Sequence, residues 1–126
     1  MRIYLTGPVR SEADREWQER LASRLQTAGF DVIRGCDLEA HTPAGVLALR
    51  LEAVLASRAA VVVLDGLQAD GSAAFEAGYA FARGIPVYGV AADGTVLSGP
   101  FAPEGGVLRG RAGSRAELVS MLLAAR

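Results

Sequence analysis

The apolar residues of this chain switch repeatedly between the two-residue period of a strand and the three-to-four-residue period of a helix. Arg2-Ile3-Tyr4-Leu5-Thr6 reads as a short strand, and Gly7-Pro8 then turns the chain toward Ser11. Ser11 with Asp14 three residues later has the form of a capping box, and Ala13, Trp17, Leu21, Leu25 and Ala28 recur at helical spacing until Gly29. Phe30 to Arg34 alternates as a second strand, and Gly35 to His41 reads as loop. Thr42-Pro43 has the form of a cap with a first-turn proline, and Leu47, Leu51, Val54 and Leu55 are the expected buried face of the next helix. Val46 and Leu49 widen its apolar surface enough to meet another subunit.

The run Ala59-Ala60-Val61-Val62-Val63-Leu64-Asp65-Gly66 is a buried strand closed by a turn, and Ser72 is placed to cap a helix through Arg83. Pro86 to Val90 forms a fourth strand, and Ala91 to Gly105 is loop by composition. Val107-Leu108 is a short last strand, and Ser114 with Glu117 caps a final helix through Leu123. Strands alternating with helices at this spacing predict an α/β fold: one single-domain, doubly wound, five-stranded parallel sheet over residues 1–126, in the flavodoxin-like order 2-1-3-4-5. Its switch point lies between the first and third strands, so the loops at Gly7 to Ser11 and Gly66 to Ser72 face one crevice. That geometry brings Tyr4, Gly7, Arg10, Asp70 and Glu76 together. Asp65, ending the third strand, and Ser72, opening the next helix, border the same crevice. The positive end of that helix's dipole suits an anionic side chain at Glu76, one turn in. Tyr79, three residues further on, is expected to pack, and Trp17 and the leucines of the last helix to lie in the core.

Composition narrows the chemistry. With 126 residues, 51% of them apolar and 21% charged, the chain can build one core. All 13 basic residues are arginine, so Schiff-base lysine chemistry and a lysine-dependent P-loop are excluded. A phosphorylation receiver of the same topology also needs a lysine, together with acids after the first strand, where Gly7-Pro8 stands. One cysteine, Cys36, and one histidine, His41, leave no disulfide and no Cys/His zinc site within the chain; both read as loop bystanders. No metal or other cofactor is expected. A formal net charge of −1 without a basic run argues against nucleic acid as partner. The apolar runs are too short and broken for a membrane span, and the first residues lack a leader pattern, so a cytoplasmic protein is expected.

The blocks Ile3-Tyr4-Leu5-Thr6-Gly7-Pro8, Val62-Val63-Leu64-Asp65-Gly66, Asp70-Gly71-Ser72-Ala73-Ala74-Phe75-Glu76-Ala77-Gly78-Tyr79-Ala80 and Gly84-Ile85-Pro86-Val87 resemble the nucleoside 2-deoxyribosyltransferases, in order, from Arg2 to Val90. The resemblance implies that Glu76 is a nucleophile that attacks C1′ of a 2′-deoxynucleoside. The base leaves, and a second free base takes the sugar from a covalent deoxyribosyl intermediate, a reaction of nucleobase salvage. It implies also that Asp70 assists the base and that Tyr4 lies beside the nucleophile. The chemistry agrees, because breaking an N-glycosidic bond builds oxocarbenium character that one carboxylate can capture while a second acid handles the departing nitrogen.

Two departures from the family pattern stand out. Arg50 occupies a base-binding position where the family commonly has an aspartate, and its place beside an apolar stripe predicts a partner: Asp70, Glu76 or a ligand phosphate. Family members also often bring an asparagine or carboxy-terminal groups into the site from a neighbouring subunit, and this chain has no asparagine. Gly7-Pro8-Val9-Arg10 resembles in addition the loop of the 5-hydroxymethyl-dUMP N-hydrolases, which implies that Gly7, Pro8 and Arg10 grip a 5′-phosphate and that water replaces the acceptor base. Those hydrolases lack an acid matching Asp70. The expected partners are therefore a small deoxynucleoside or deoxynucleotide, a free base, and further copies of the chain in a dimer or higher homo-oligomer. A hydrolase and a non-catalytic nucleotide sensor are the alternatives.

Overall fold

The computed structural model describes residues 1–67, 71–95 and 97–126. Its strands are β1 (Arg2–Thr6), β2 (Asp31–Arg34), β3 (Ala59–Val63), β4 (Val87–Val90) and β5 (Leu108–Ala112). All pair in parallel in the order β2-β1-β3-β4-β5, as the sequence predicts. Helices α1 (Glu12–Thr27) and α4 (Arg115–Ala125) cover one face, while α2 (Pro43–Leu55) and α3 (Gly71–Ala82) cover the other. Alternation along the strands divides the core accordingly. Ile3, Leu5, Val61 and Val63 meet Leu21, Leu25, Leu118 and Leu122, whereas Tyr4, Ala60 and Val62 meet Val54, Ala73, Ala77 and Ala80.

Three helix starts carry the expected caps. The Ser11, Thr42 and Ser114 hydroxyls accept the backbone N–H groups of Asp14, Gly45 and Glu117. The Asp14 and Glu117 carboxylates reach back to the backbone N–H groups of Arg10 and Gly113. The start of α3 differs, because it begins at Gly71 and leaves Ser72 as its second residue rather than its cap.

The expected buried faces of α1 and α2 need correction. In α1 the buried residues are Gln18, Leu21, Ala22 and Leu25; Ala13 is exposed and Trp17 sits at the rim, with the Arg115 guanidinium 5.0 Å over its ring. Gln18 is admitted to the interior because its amide donates to the Pro8 carbonyl at 3.1 Å. In α2 the buried residues are Ala53 and, as expected, Val54, while Leu47 and Leu55 are 44% and 45% exposed. The last strand is also longer than Val107-Leu108. Val87 pairs with Leu108 and Tyr88 with Gly110, so Arg109 is a bulge residue that breaks the alternation by which a strand is recognised. A short 3-10 turn, Gly99–Phe101, interrupts the following-β4 loop, and another, Gly35–Asp37, follows β2. No described helix is long and apolar enough to cross a membrane.

Candidate functional site

Tyr4 and Thr6 are two residues apart on β1, so both side chains leave the same face of the sheet at its C-terminal end. The α3 residues facing them are small, with Ala73, Ala77 and Ala80 all buried, and this lets the helix lie close to the strands. Glu76 shares that stripe. Its side chain is 1% exposed and meets the two β1 hydroxyls: Thr6 donates to Oε1 at 2.7 Å and Tyr4 to Oε2 at 3.0 Å. Arg50, reaching across from α2, donates from Nη1 to Oε2 at 3.2 Å. A buried carboxylate is costly unless it is paired and hydrogen-bonded, and here it has one guanidinium and two hydroxyls.

Glu76 and Arg50 form the polar part of a cavity of about 490 Å³ whose other walls are Pro43, Val46, Leu47 and Phe75, with Gly71 and Ser72 at the start of α3. Apolar walls and a few convergent polar groups suit a flat heterocycle with a polar edge. Among the described residues, no group of three metal-ligating side chains occurs.

Two residues at this site carry no strong sequence signal. Thr6 is one; its position two after Tyr4 on an alternating strand was the clue available. Gly35 is the other, buried where β2 ends, and a Cβ built there would stand 2.4 Å from the Tyr4 hydroxyl oxygen and 3.7 Å from the Arg50 guanidinium carbon. The bare backbone at Gly35 is what leaves room for Tyr4 to reach Glu76.

The other expected residues fall elsewhere. Asp70 lies outside the described residues. The two loops at the switch point do meet: a Cβ on Gly7 would lie 2.6 Å from that of Val63, and one on Gly66 would lie 2.7 Å from Arg10 Nη2. Arg10 thus lies beside Gly66, and its guanidinium makes no hydrogen bond to Glu76. Pro8 and Asp65 line a separate cavity of about 320 Å³, together with Trp17, Asp14 and Asp93. Asp65 accepts the backbone N–H groups of Ala92 and Asp93 at 3.1 and 3.2 Å, tying the end of β3 to the loop after β4. Its hydrogen bond holds Asp93 down to about 2, while burial pushes Asp65 above the usual carboxylate value. Ser72 is exposed at the mouth of the Glu76 cavity, and Tyr79 packs against the core, as expected. His41 is exposed; Cys36 is half-buried, and burial raises its thiol pKa.

Burial, and then the Glu76 carboxylate, push the Tyr4 hydroxyl far above the ordinary value of 10.0. The folded chain therefore keeps a proton that an unfolded tyrosine loses above that pH, and stability falls as pH rises beyond 10.0 while being unaffected below it. Urea unfolding followed from about pH 9 to pH 11 should give a steeper alkaline loss for the native chain than for Tyr4→Phe. Equal slopes would mean that Tyr4 is not held protonated by the fold.

The fold has relatives. Among curated proteins, none matches the chain in sequence. A conserved protein from Enterococcus faecalis V583 superimposes with a TM-score of 0.78 at 23% identity, over 100% of this chain and 99% of that one. A CMP N-glycosidase from Clostridium botulinum does so with a TM-score of 0.74 at 17% identity, over 100% of both chains. A 2-deoxyribosyltransferase from Bacillus psychrosaccharolyticus gives 0.69 at 20% identity, over 78% of this chain and 77% of that one. At such identities the likeness establishes the fold. The model of the nucleoside 2-deoxyribosyltransferase family matches residues 3–120, a span that holds Tyr4, Thr6, Gly35, Arg50 and Glu76. With nearly its whole length matched, the chain belongs to the nucleoside 2-deoxyribosyltransferase family.

Proposed function

We propose that this protein cleaves the N-glycosidic bond of 2′-deoxynucleosides and transfers the sugar to another base. The observation that carries the reading is the buried Glu76 carboxylate, fixed at the wall of an apolar cavity by Tyr4 and Thr6. A Glu76 oxygen bonds to C1′ as the C1′–N bond breaks and its electron pair goes to the base. The result is a deoxyribosyl ester on the enzyme. Asp70 acts as the second acid and supplies the proton that the departed base needs. In the return step the nitrogen of a second base attacks C1′, its N–H proton passes to the Asp70 carboxylate, and the Glu76 carboxylate leaves. Tyr4 and Thr6 hold the carboxylate oxygens in place through both steps, which keeps the attacking group oriented without reorganisation. Arg10, with Gly7 and Pro8, remains the group suited to a 5′-phosphate where the substrate is a nucleotide.

Incubation with a 2′-deoxynucleoside, with and without a free base, tests the reading by chromatography. Exchange of bases is the expected result. Release of free base with no exchange would make the enzyme a hydrolase, and no reaction at all would leave a nucleotide-sensing module.

The same reading includes a homo-oligomer, a dimer or higher. Leu47, Leu49, Leu55, Phe75 and Phe81 are exposed on α2 and α3, and Leu47 and Phe75 also wall the cavity. Light scattering should find an assembly that Phe75→Asp weakens; a native monomer at all concentrations would contradict it.

A further inference from the structure

We propose that Arg50 selects the substrate base: it favours 2-oxopyrimidine deoxynucleosides, whose base leaves as an anion, over adenine deoxynucleosides, whose base leaves after protonation. The inference rests on the glycosidic cleavage proposed above and adds to it a leaving-group specificity. Among the described residues the guanidinium makes one hydrogen bond, from Nη1 to Glu76 Oε2 at 3.2 Å. Its Nε is buried without a partner, and the side chain, 21% exposed, lines the cavity. A planar group with five donors and one bond made is therefore held against the nucleophile with capacity to spare.

The position of that capacity matters. Arg50 lines the same cavity as Glu76, so a base bound in that cavity comes within reach of the guanidinium. In a 2-oxopyrimidine nucleoside the O2 carbonyl adjoins the glycosidic nitrogen and is the acceptor on which the leaving charge collects. As the C1′–N1 bond breaks, its electron pair spreads from N1 onto O2, and an Arg50 N–H donating to O2 stabilises that charge where it develops. The base takes its proton after departure. Adenine follows the opposite electrostatics, since it leaves most readily once a ring nitrogen has been protonated, and a fixed cation beside the ring opposes that protonation. Cavity size does not discriminate, as about 490 Å³ admits either ring system. The sign of the charge does.

The test compares kcat/KM for base release from deoxyuridine and deoxyadenosine, and from their 5′-monophosphates, in the native chain and in Arg50→Gln and Arg50→Lys. The native chain should prefer deoxyuridine by about 100-fold or more, and Arg50→Gln, which also removes a hydrogen bond to Glu76, should lower the deoxyuridine value by about 100-fold more than the deoxyadenosine value. Arg50→Lys, which keeps the charge, should recover part of the loss. Along a series of 5-substituted deoxyuridines, the rate should depend more steeply on the acidity of the departing uracil in Arg50→Gln than in the native chain, a change that misfolding would not produce. Equal turnover of deoxyuridine and deoxyadenosine by the native chain, or an equal loss on both in Arg50→Gln, overturns the inference and leaves the glycosidic reading intact. A preference for both monophosphates over both nucleosides that disappears in Arg50→Gln also overturns it, by making Arg50 a phosphate ligand. Absence of base release from all four compounds overturns the glycosidic reading itself, and this inference with it.

Discussion

Replacing Glu76 by alanine is expected to lower the rate of base release by about 10⁴-fold or more, because the group that captures C1′ is removed and no neighbouring oxygen can take its place. Tyr4 and Thr6 offer hydroxyls at the same position, but burial holds the Tyr4 proton on, and Thr6 has no base beside it among the described residues. The fold should survive. The α3 stripe of Ala73, Ala77 and Ala80 still packs on the sheet, and Arg50, partly exposed in the cavity, can turn toward solvent once its partner is gone. Orphaning the two hydroxyls should cost about 1–3 kcal/mol, to be read from urea unfolding. Glu76→Gln keeps the volume and should lose the chemistry equally. An alanine variant that releases base at the native rate would remove Glu76 from the mechanism.

Gly35→Ala carries the second large effect, although Gly35 contributes no functional group. Its added methyl would stand 2.4 Å from the Tyr4 hydroxyl oxygen and 3.1 Å from Cζ, distances that van der Waals repulsion forbids. Tyr4 has 0% exposure and no free side to which it can swing, so either the turn after β2 or the ring must shift. Overpacking of this kind costs about 1–3 kcal/mol. A shifted ring loses its bond to Glu76 Oε2 and disturbs Arg50, which shares that oxygen. The expected result is a loss of about 100-fold in kcat, because misplacing a catalytic group by about 1 Å has that effect. Gly78→Ala is the stability control: its Cβ meets nothing within 4 Å, and alanine within α3 should stabilise by about 0.5–1 kcal/mol. If Gly35→Ala is as stable and active as the native chain, the close approach at Tyr4 is not what the site depends on.

The strand order was legible because β1 and β3 are short apolar runs closed by glycine turns, and the parallel α/β pattern leaves few topologies. Glu76 and Tyr4 could be paired from sequence since the switch-point rule places the end of β1 beside the helix after β3. An arginine beside an apolar stripe calls for a partner, and the structure supplies Glu76. What could not be read was set by packing in three dimensions. In α2 the sequence pattern finds Val54, but Ala53 is buried with it while Leu47 and Leu55 face outward, because packing on the sheet admits the small side chain in preference to the larger ones. The bulge at Arg109 hid most of β5. Gly35 acts only by lacking a side chain, and its neighbour Tyr4 is thirty-odd residues away on another strand, so no local spacing announces it.

The most direct test is peptide mapping by mass spectrometry of the native protein, acid-quenched during turnover of a 2′-deoxynucleoside without an acceptor base. The account predicts one deoxyribosyl group on the peptide that contains Glu76, at that residue. A Glu76 peptide that stays unmodified while base is being released, or the sugar attached to a different side chain, would contradict it.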